Sequence, residues 1–275
     1  MGTVQDSARL TTQYANPEHL QARWNLYDNC SPPVDIYGEV IQRLHFGKDA
    51  SILDVGCGDG MFLLDLRRKH RHSGVLRGID LSSQLILKAR KTQEEEGIDP
   101  KVQFYRGDAT STYATDNSFD IVVSLFSLYH FPDKEKALRE WKRVLKPGGK
   151  IAFATASKGN KPEHQRFKKL AAHITGAQAH EQFSTSFNLE NGAAQIGKFF
   201  RILDSFVYTG GLYVTSAELY LKAFDSVRNM FSPVPTDDEW IRVKREVRKQ
   251  IEDEIAKKGH FTDQVKRGFW VCEKV

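Results

Sequence analysis

The stretch Ile52-Leu-Asp-Val-Gly-Cys-Gly-Asp-Gly60 decides the reading of this chain: a short apolar run breaks into Gly-x-Gly-x-Gly and then into an amphipathic segment, Met61 to Arg71. Glycines let the backbone turn tightly and approach a ligand closely, and a helix that follows presents free N–H groups to it. Asp80 stands twenty residues beyond Gly60, at the end of a second apolar run, Val75 to Ile79. A carboxylate at that strand end can accept hydrogen bonds from ribose hydroxyls. Together the loop and the carboxylate imply an adenosine-type ligand. The spacing narrows the choice. A dinucleotide fingerprint wants its third glycine one residue later, where Met61 stands, and no Gly-Lys-Ser/Thr follows to make a phosphate loop. NAD and FAD are therefore disfavoured.

Working outward, residues 51 to 155 alternate apolar runs with amphipathic ones. Strands are expected at Ser51–Val55, Val75–Ile79, Val102–Arg106, Phe119–Ser124 and Lys150–Thr155. Between them lie a helix from Met61, a helix capped by Ser82 and running to Glu96, and one capped by Asp133 with Ala137, Leu138, Trp141 and Val144 on one face. That alternation predicts an α/β fold around a parallel sheet. After Thr155 the rhythm changes: a polar, basic stretch over 158–198, a strand over Phe200–Tyr208, helices over 216–231 and 237–258, and a last short strand, Gly268–Cys272. The helix over 237–258 mixes charges of both signs and reads as a surface element. Residues 17–46 offer one or two helices with aromatic faces, carrying Trp24, Tyr27 and Tyr37.

Composition bounds the answer. The chain has 275 residues, 40% hydrophobic and 27% charged, which suits one large domain or one with an insertion and excludes collagen-like and wholly disordered readings. A net charge of +5 permits an anionic partner without announcing one. Cys30, Cys57 and Cys272 are too scattered for a disulfide framework or a metal-binding pair, so no metal is expected, and a reducing, cytoplasmic setting fits. No leader-like start and no apolar run of about 18 residues appears, so no membrane span is expected.

The ordered motifs resemble those of the class I S-adenosylmethionine-dependent methyltransferases, in the branch similar to ubiquinone/menaquinone C-methyltransferases and many small-molecule methyltransferases. The resemblance covers residues 35 to 155 and rests on Leu53-Asp-Val-Gly-Cys-Gly-Asp-Gly60, Gly78-Ile-Asp80, Gly107-Asp108-Ala109, Phe119 to Ser124 followed by Leu128-Tyr-His130, and Leu145-Lys-Pro-Gly-Gly149. It implies a Rossmann-like, seven-stranded, mostly parallel sheet in the order 3-2-1-4-5-7-6, last strand antiparallel, with helices on both faces and a helical lid. Residues 1–46 would form an N-terminal helical cover, 47–157 the S-adenosylmethionine-binding core, and 158–275 the substrate lid with the final strands. Gly56, Gly58 and Gly60 would wrap the methionine portion, with Asp54 near its amino group and Cys57 packed beneath the ligand. Asp80 would hold the ribose, Ile79 and Leu81 would flank the adenine, and Asp108 and the Ala109 N–H would meet its edge. Ser124 and Leu125 complete the expected cofactor set. Asp54 and Asp108 also admit local readings, as a turn-stabilising carboxylate and an Asx-turn residue.

A sulfonium methyl is already activated, so transfer needs alignment, and a base only where the acceptor must lose a proton. Tyr129 and His130, just past the fourth strand, are the candidate catalytic residues, His130 as base, as positioning donor, or merely as a turn residue before Pro132. Tyr14, Arg23, Trp24 and Tyr27 are candidates for the acceptor entrance. Phe183, Phe187, Phe199, Phe206, Tyr208, Tyr213, Tyr220 and Phe224 would suit a lid over a flat or apolar molecule, or else a core. Lys158, Lys161, Arg166, Lys168 and Lys169 form a cluster that reads as a solvated helix face or a phosphate contact. A small-molecule acceptor is the leading reading. An RNA methyltransferase, favoured by a pI near 9.0, and a catalytically silent cofactor-binding scaffold are the alternatives. The absence of a Pro-Cys pair and of Asn/Asp-Pro-Pro-Tyr/Phe counts against cytosine C5 and adenine amino methylation.

Overall fold

The computed structural model describes residues 17–180 and 183–275, so Tyr14 lies outside the described residues. Two helices, α1 (Pro17–Tyr27) and α2 (Ile36–Leu44), flank a two-residue strand, β1 (Cys30–Ser31). Alternation then follows: β2 (Ile52–Val55), α3 (Met61–His70), β3 (Leu76–Asp80), α4 (Ser83–Glu95), β4 (Val102–Arg106), β5 (Phe119–Leu125), α5 (Lys134–Val144) and β6 (Leu145–Ala156). The remainder comprises α6 (Pro162–Thr175), β7 (Gln178–Ala179), α7 (Gly192–Ile196), β8 (Arg201–Val214), α8 (Ala217–Asp225), β9 (Phe231–Ser232), α9 (Asp237–Lys258) and β10 (Phe261–Glu273).

Eight strands make one sheet, ordered β1-β8-β10-β6-β5-β2-β3-β4. From β6 to β4 neighbouring strands run parallel, and β10 runs antiparallel to both β6 and β8. Leaving β1 aside, this is the expected 3-2-1-4-5-7-6 order. The departure is an eighth strand: β1 pairs antiparallel with β8 through Cys30↔Leu212 and Ser31↔Gly211. Two residues carry no periodic signal, so nothing in the sequence marks it.

The central strands are apolar because helices cover both their faces. All four residues of β2 are buried, as is every residue of β5 but Asp120. Ile52 joins the core on one face of the sheet, Leu53 and Val55 the core on the other, as the two-residue side-chain period of a strand requires. The Asp133 side chain caps α5 by accepting the Lys136 amide at 2.9 Å. One face of α5 buries Ala137, Leu138, Trp141 and Val144, and the Trp141 indole N–H donates to the Ala109 carbonyl at 2.8 Å. Truncating Trp141 would cost about 3–5 kcal/mol.

Beyond β6 the lengths differ from expectation. β8 and β10 pair from Phe261↔Val214 to Glu273↔Arg201, far longer than the two short strands expected, because exposed residues dominate the first half of β8 and hide its pattern. The helix expected over 216–231 ends at Asp225, with a single 3₁₀ turn at Arg228–Met230. α9 matches its expected bounds and opens on a Thr236/Glu239 capping box. Its surface character holds for one face only. Trp240, Val243, Val247 and Ile251 are buried, and Trp240 stacks on Phe224 with centroids 5.5 Å apart. Among the described residues no helix is long and apolar enough to cross a membrane.

Candidate active site

β2 runs into a loop whose glycines all adopt positive φ. A Cβ on Gly56 would lie 2.5 Å from the Ser127 Cβ, and one on Gly60 would lie 2.6 Å from the Phe104 ring. Gly56 thus lets the loop rest against the turn after β5, and Gly60 lets α3 pack on the sheet. The Ser127 hydroxyl donates to the Val55 carbonyl at 2.7 Å and lies 2.8 Å from the Ser124 hydroxyl, tying the end of β5 to the end of β2. At the end of β3, Asp80 accepts the Gly58 amide through Oδ2 at 2.9 Å and the Ser82 amide through Oδ1 at 2.8 Å. Each carboxylate oxygen keeps a further lone pair.

These strand ends open into a cavity of about 680 Å³, where open α/β sheets bind their ligands. Gly56, Cys57, Gly58, Asp80, Leu81, Asp108, Ala109 and Leu125 line it, together with Arg23, Trp24, Tyr27, Tyr129 and His130. Four expected residues do not. Asp54 is buried within β2, Gly60 faces Phe104, Ile79 packs beneath Gly107, and Ser124 is held by Ser127. They shape the site from behind. Asp108 forms the local turn anticipated for it, its Oδ1 accepting the Thr110 amide at 2.8 Å.

Electrostatics separates the roles. Burial, and then the Asp80 carboxylate, push the Asp54 carboxyl well above its usual range. Burial also raises Asp80, against the opposing pull of the Ser82 and Gly58 amides. The Cys57 thiol is pushed well up by burial and by Asp54 and Asp80, which leaves it an inert packing residue rather than a thiolate nucleophile. Its Sγ sits where a Cβ on Gly78 would come within 2.8 Å. His130 is pushed down to about 3 by burial, then by Arg23 and Lys134. Its imidazole is therefore neutral at pH 7, edge-on to Tyr129 with ring centroids 4.5 Å apart.

The aromatic wall of the cavity comes from the N-terminal helices and from Phe126, of which the sequence did not single out Phe126. Trp24 on α1 meets the Phe126 ring edge at 5.9 Å and the Tyr37 ring at 5.5 Å, and all three line the cavity. Phe126, directly after β5, has φ of +59°, a conformation that costs a bulky residue about 1–3 kcal/mol and concentrates at functional sites. Buried Asp59 pairs with Lys88 at 3.0 Å, and Lys88 donates to Gln21 at 3.3 Å, fastening α1 to α4. None of the aromatics proposed for a lid, Phe187, Phe199, Phe206, Tyr208, Tyr213, Tyr220 and Phe224, lines the cavity. Phe187, Tyr220 and Phe224 are wholly buried in the core instead, and the Phe183 side chain lies outside the described ones. The basic cluster also divides. Lys161 and Lys168 line the cavity, whereas Lys158, Arg166 and Lys169 are exposed, Arg166 pairing with Glu163 at 2.7 Å. His164 and Arg267 join the lining. No local pattern marked these two, because the pairing of β10 with β6 and the start of α6 aim them inward.

Residues 53–153 match the methyltransferase domain family model. The chain is 29% identical over 150 residues to the demethylmenaquinone methyltransferase of Lactiplantibacillus plantarum, covering 50% of this chain and 63% of that protein. It is 34% identical over 116 residues to methyltransferase GfsG of Streptomyces halstedii, covering 42% and 41%. Both matches span less than two thirds of the relative. A putative methyltransferase from Bacillus halodurans shares the fold, with a TM-score of 0.59 and 17% identity over 86% of this chain and 98% of that one. The glycine loop, Asp80 and strands β3 to β5 all stand within residues 53–153, the span that matches the methyltransferase domain model.

Proposed function

We propose that the chain transfers a methyl group from S-adenosylmethionine to a small-molecule acceptor. One observation carries the reading: a single cavity joins the glycine loop and Asp80 to Tyr129, His130 and the aromatic wall. The residues fit the cofactor. A Cβ on Gly58 would meet nothing nearer than Leu20 at 3.6 Å, Asp80 keeps acceptor capacity for ribose hydroxyls, and Leu81 is 46% exposed beside it. When bound, the cofactor supplies a methyl group already activated on a sulfonium. The chain adds positioning, an effect worth up to about 7–11 kcal/mol. Trp24, Tyr37 and Phe126 exclude water, and neutral His130 holds the acceptor by a hydrogen bond rather than serving as a strong base. In this reading residues 47–157 bind the cofactor, while the helices before them and the segments after them select the acceptor.

A small acceptor is favoured over RNA because Lys161 and Lys168 turn into the cavity, breaking up the surface stripe that phosphate-backbone binding needs. The relative named for demethylmenaquinone also acts on a small molecule. The test is incubation with methyl-labelled S-adenosylmethionine and, separately, a small-metabolite extract and total RNA. Label in a low-molecular-weight product is expected; label in RNA alone overturns the reading.

A further inference from the structure

We propose that the acceptor carries an oxyanion, a carboxylate or a phosphate, held inside the cavity by Arg267 and Lys161; this rests on the methyl-transfer reading above. Arg267, on β10, is 4% exposed and lines the cavity. Its Nε has no hydrogen-bond partner. The guanidinium lies 4.1 Å above the Tyr27 ring and 5.9 Å from the Phe126 ring, and no carboxylate among the described residues comes within the 4.0 Å of an ion pair. Lys161 approaches the same Tyr27 ring at 5.1 Å, likewise without a carboxylate at ion-pair distance. Its backbone is fixed, the amide donating to the Gln264 carbonyl of β10 at 2.8 Å. Beside them His164, 8% exposed on the first turn of α6, lines the cavity with an unpartnered Nδ1.

The buried carboxylate on this strand is engaged elsewhere. Asp263 accepts the amides of Glu163 at 2.9 Å and His164 at 3.0 Å and the Tyr220 hydroxyl at 3.0 Å. Two inward cations thus share an aromatic floor without a counter-charge at contact distance. A buried charge without a counter-charge is costly, a cost that an arriving anion would relieve. One part of the lining holds Asp59, of the glycine loop, and Asp80, bonded to that loop, while another holds Lys161 and Arg267 against Tyr27. An acceptor with an apolar body against Trp24 and Tyr27 and an oxyanion at its end fits both halves. The planar guanidinium fork matches carboxylate and phosphate geometry alike.

The experiment is calorimetry on the full chain saturated with S-adenosylhomocysteine, with phenyl phosphate, phenylacetate and neutral phenylacetamide as probes. At least one oxyanion is expected to bind about tenfold or more tightly than the amide; whichever oxyanion leads names the source. Arg267→Gln and Lys161→Gln should each reduce that preference, Arg267→Lys should retain part of it, and adenosylhomocysteine affinity should stay within about twofold of wild type. If Arg267→Gln does not fold, Lys161→Gln, whose side chain is only half-buried, carries the comparison. Equal affinities for the three probes, no heat from either oxyanion up to about 10 mM, or a preference unchanged in the variants overturns the proposal. So does weakened adenosylhomocysteine binding in Lys161→Gln or Arg267→Gln, which would assign the cations to the cofactor's own carboxylate. Failure of the wild type to bind adenosylhomocysteine overturns the methyl-transfer reading instead.

Discussion

The Asp80 carboxylate accepts the Gly58 amide across 2.9 Å, so the end of β3 holds the middle of the glycine loop. The residue read from the sequence as a ribose acceptor also shapes the loop that faces the same ligand. Asp80→Ala removes both contributions and should weaken S-adenosylhomocysteine binding by about 1–3 kcal/mol. Titration calorimetry measures it; an unchanged Kd would leave Asp80 with the loop alone.

Asp54 should respond to pH in the opposite direction to an ion-paired carboxylate. Its folded pKa is raised above the unfolded 3.8 by burial and by Asp80, so its favourable contribution is present below that unfolded value and is lost as pH rises through the folded one. Above that unfolded value folding must either bury the charge or take up a proton, and both destabilise the ligand-free fold. Asp54→Asn should therefore raise Tm at about pH 8 and change it little at about pH 4. An equal loss of Tm at both would mean that the Asp54 side chain stabilises the fold whatever its protonation state.

His130 should not titrate across the working range. With its pKa near 3, the kcat/KM profile should show no inflection from this group between about pH 5 and 8. His130→Ala should act mainly on the acceptor's KM. A fall in kcat of about 10² or more at unchanged KM would restore the role of general base.

Gly60 belongs to packing. At φ of +79° with the Phe104 ring in the way of any Cβ, Gly60→Ala should cost about 1–3 kcal/mol of stability. The protein that remains folded should bind adenosylhomocysteine with near wild-type affinity. Loss of binding without loss of stability would put Gly60 in the site after all.

What was legible was local. The apolar run, glycines and helix start over 52–61, the Asp133 cap of α5 and the span of α9 are written in consecutive residues, and they stand where the sequence puts them. Non-local placement was not legible. Arg267 falls just before the strand expected at Gly268–Cys272, and its pairing opposite Ala156 turns it toward the cavity. Lys161 faces inward because its amide bonds to β10. Composition leaves Phe224 open between lid and core, and its stacking on Trp240 from another helix settles it as core. Phe126, which departs from β5 in a left-handed conformation, carries no sequence mark at all.

The central claim, that the Gly56–Gly60 loop and Asp80 serve a methyl-donor cofactor, is tested most directly by titrating the wild-type chain with S-adenosylhomocysteine and, in parallel, with NAD. A Kd in the micromolar range is expected for adenosylhomocysteine, with a rise in Tm with its concentration by linkage and no heat from NAD. Binding of NAD with no response to adenosylhomocysteine would contradict the claim.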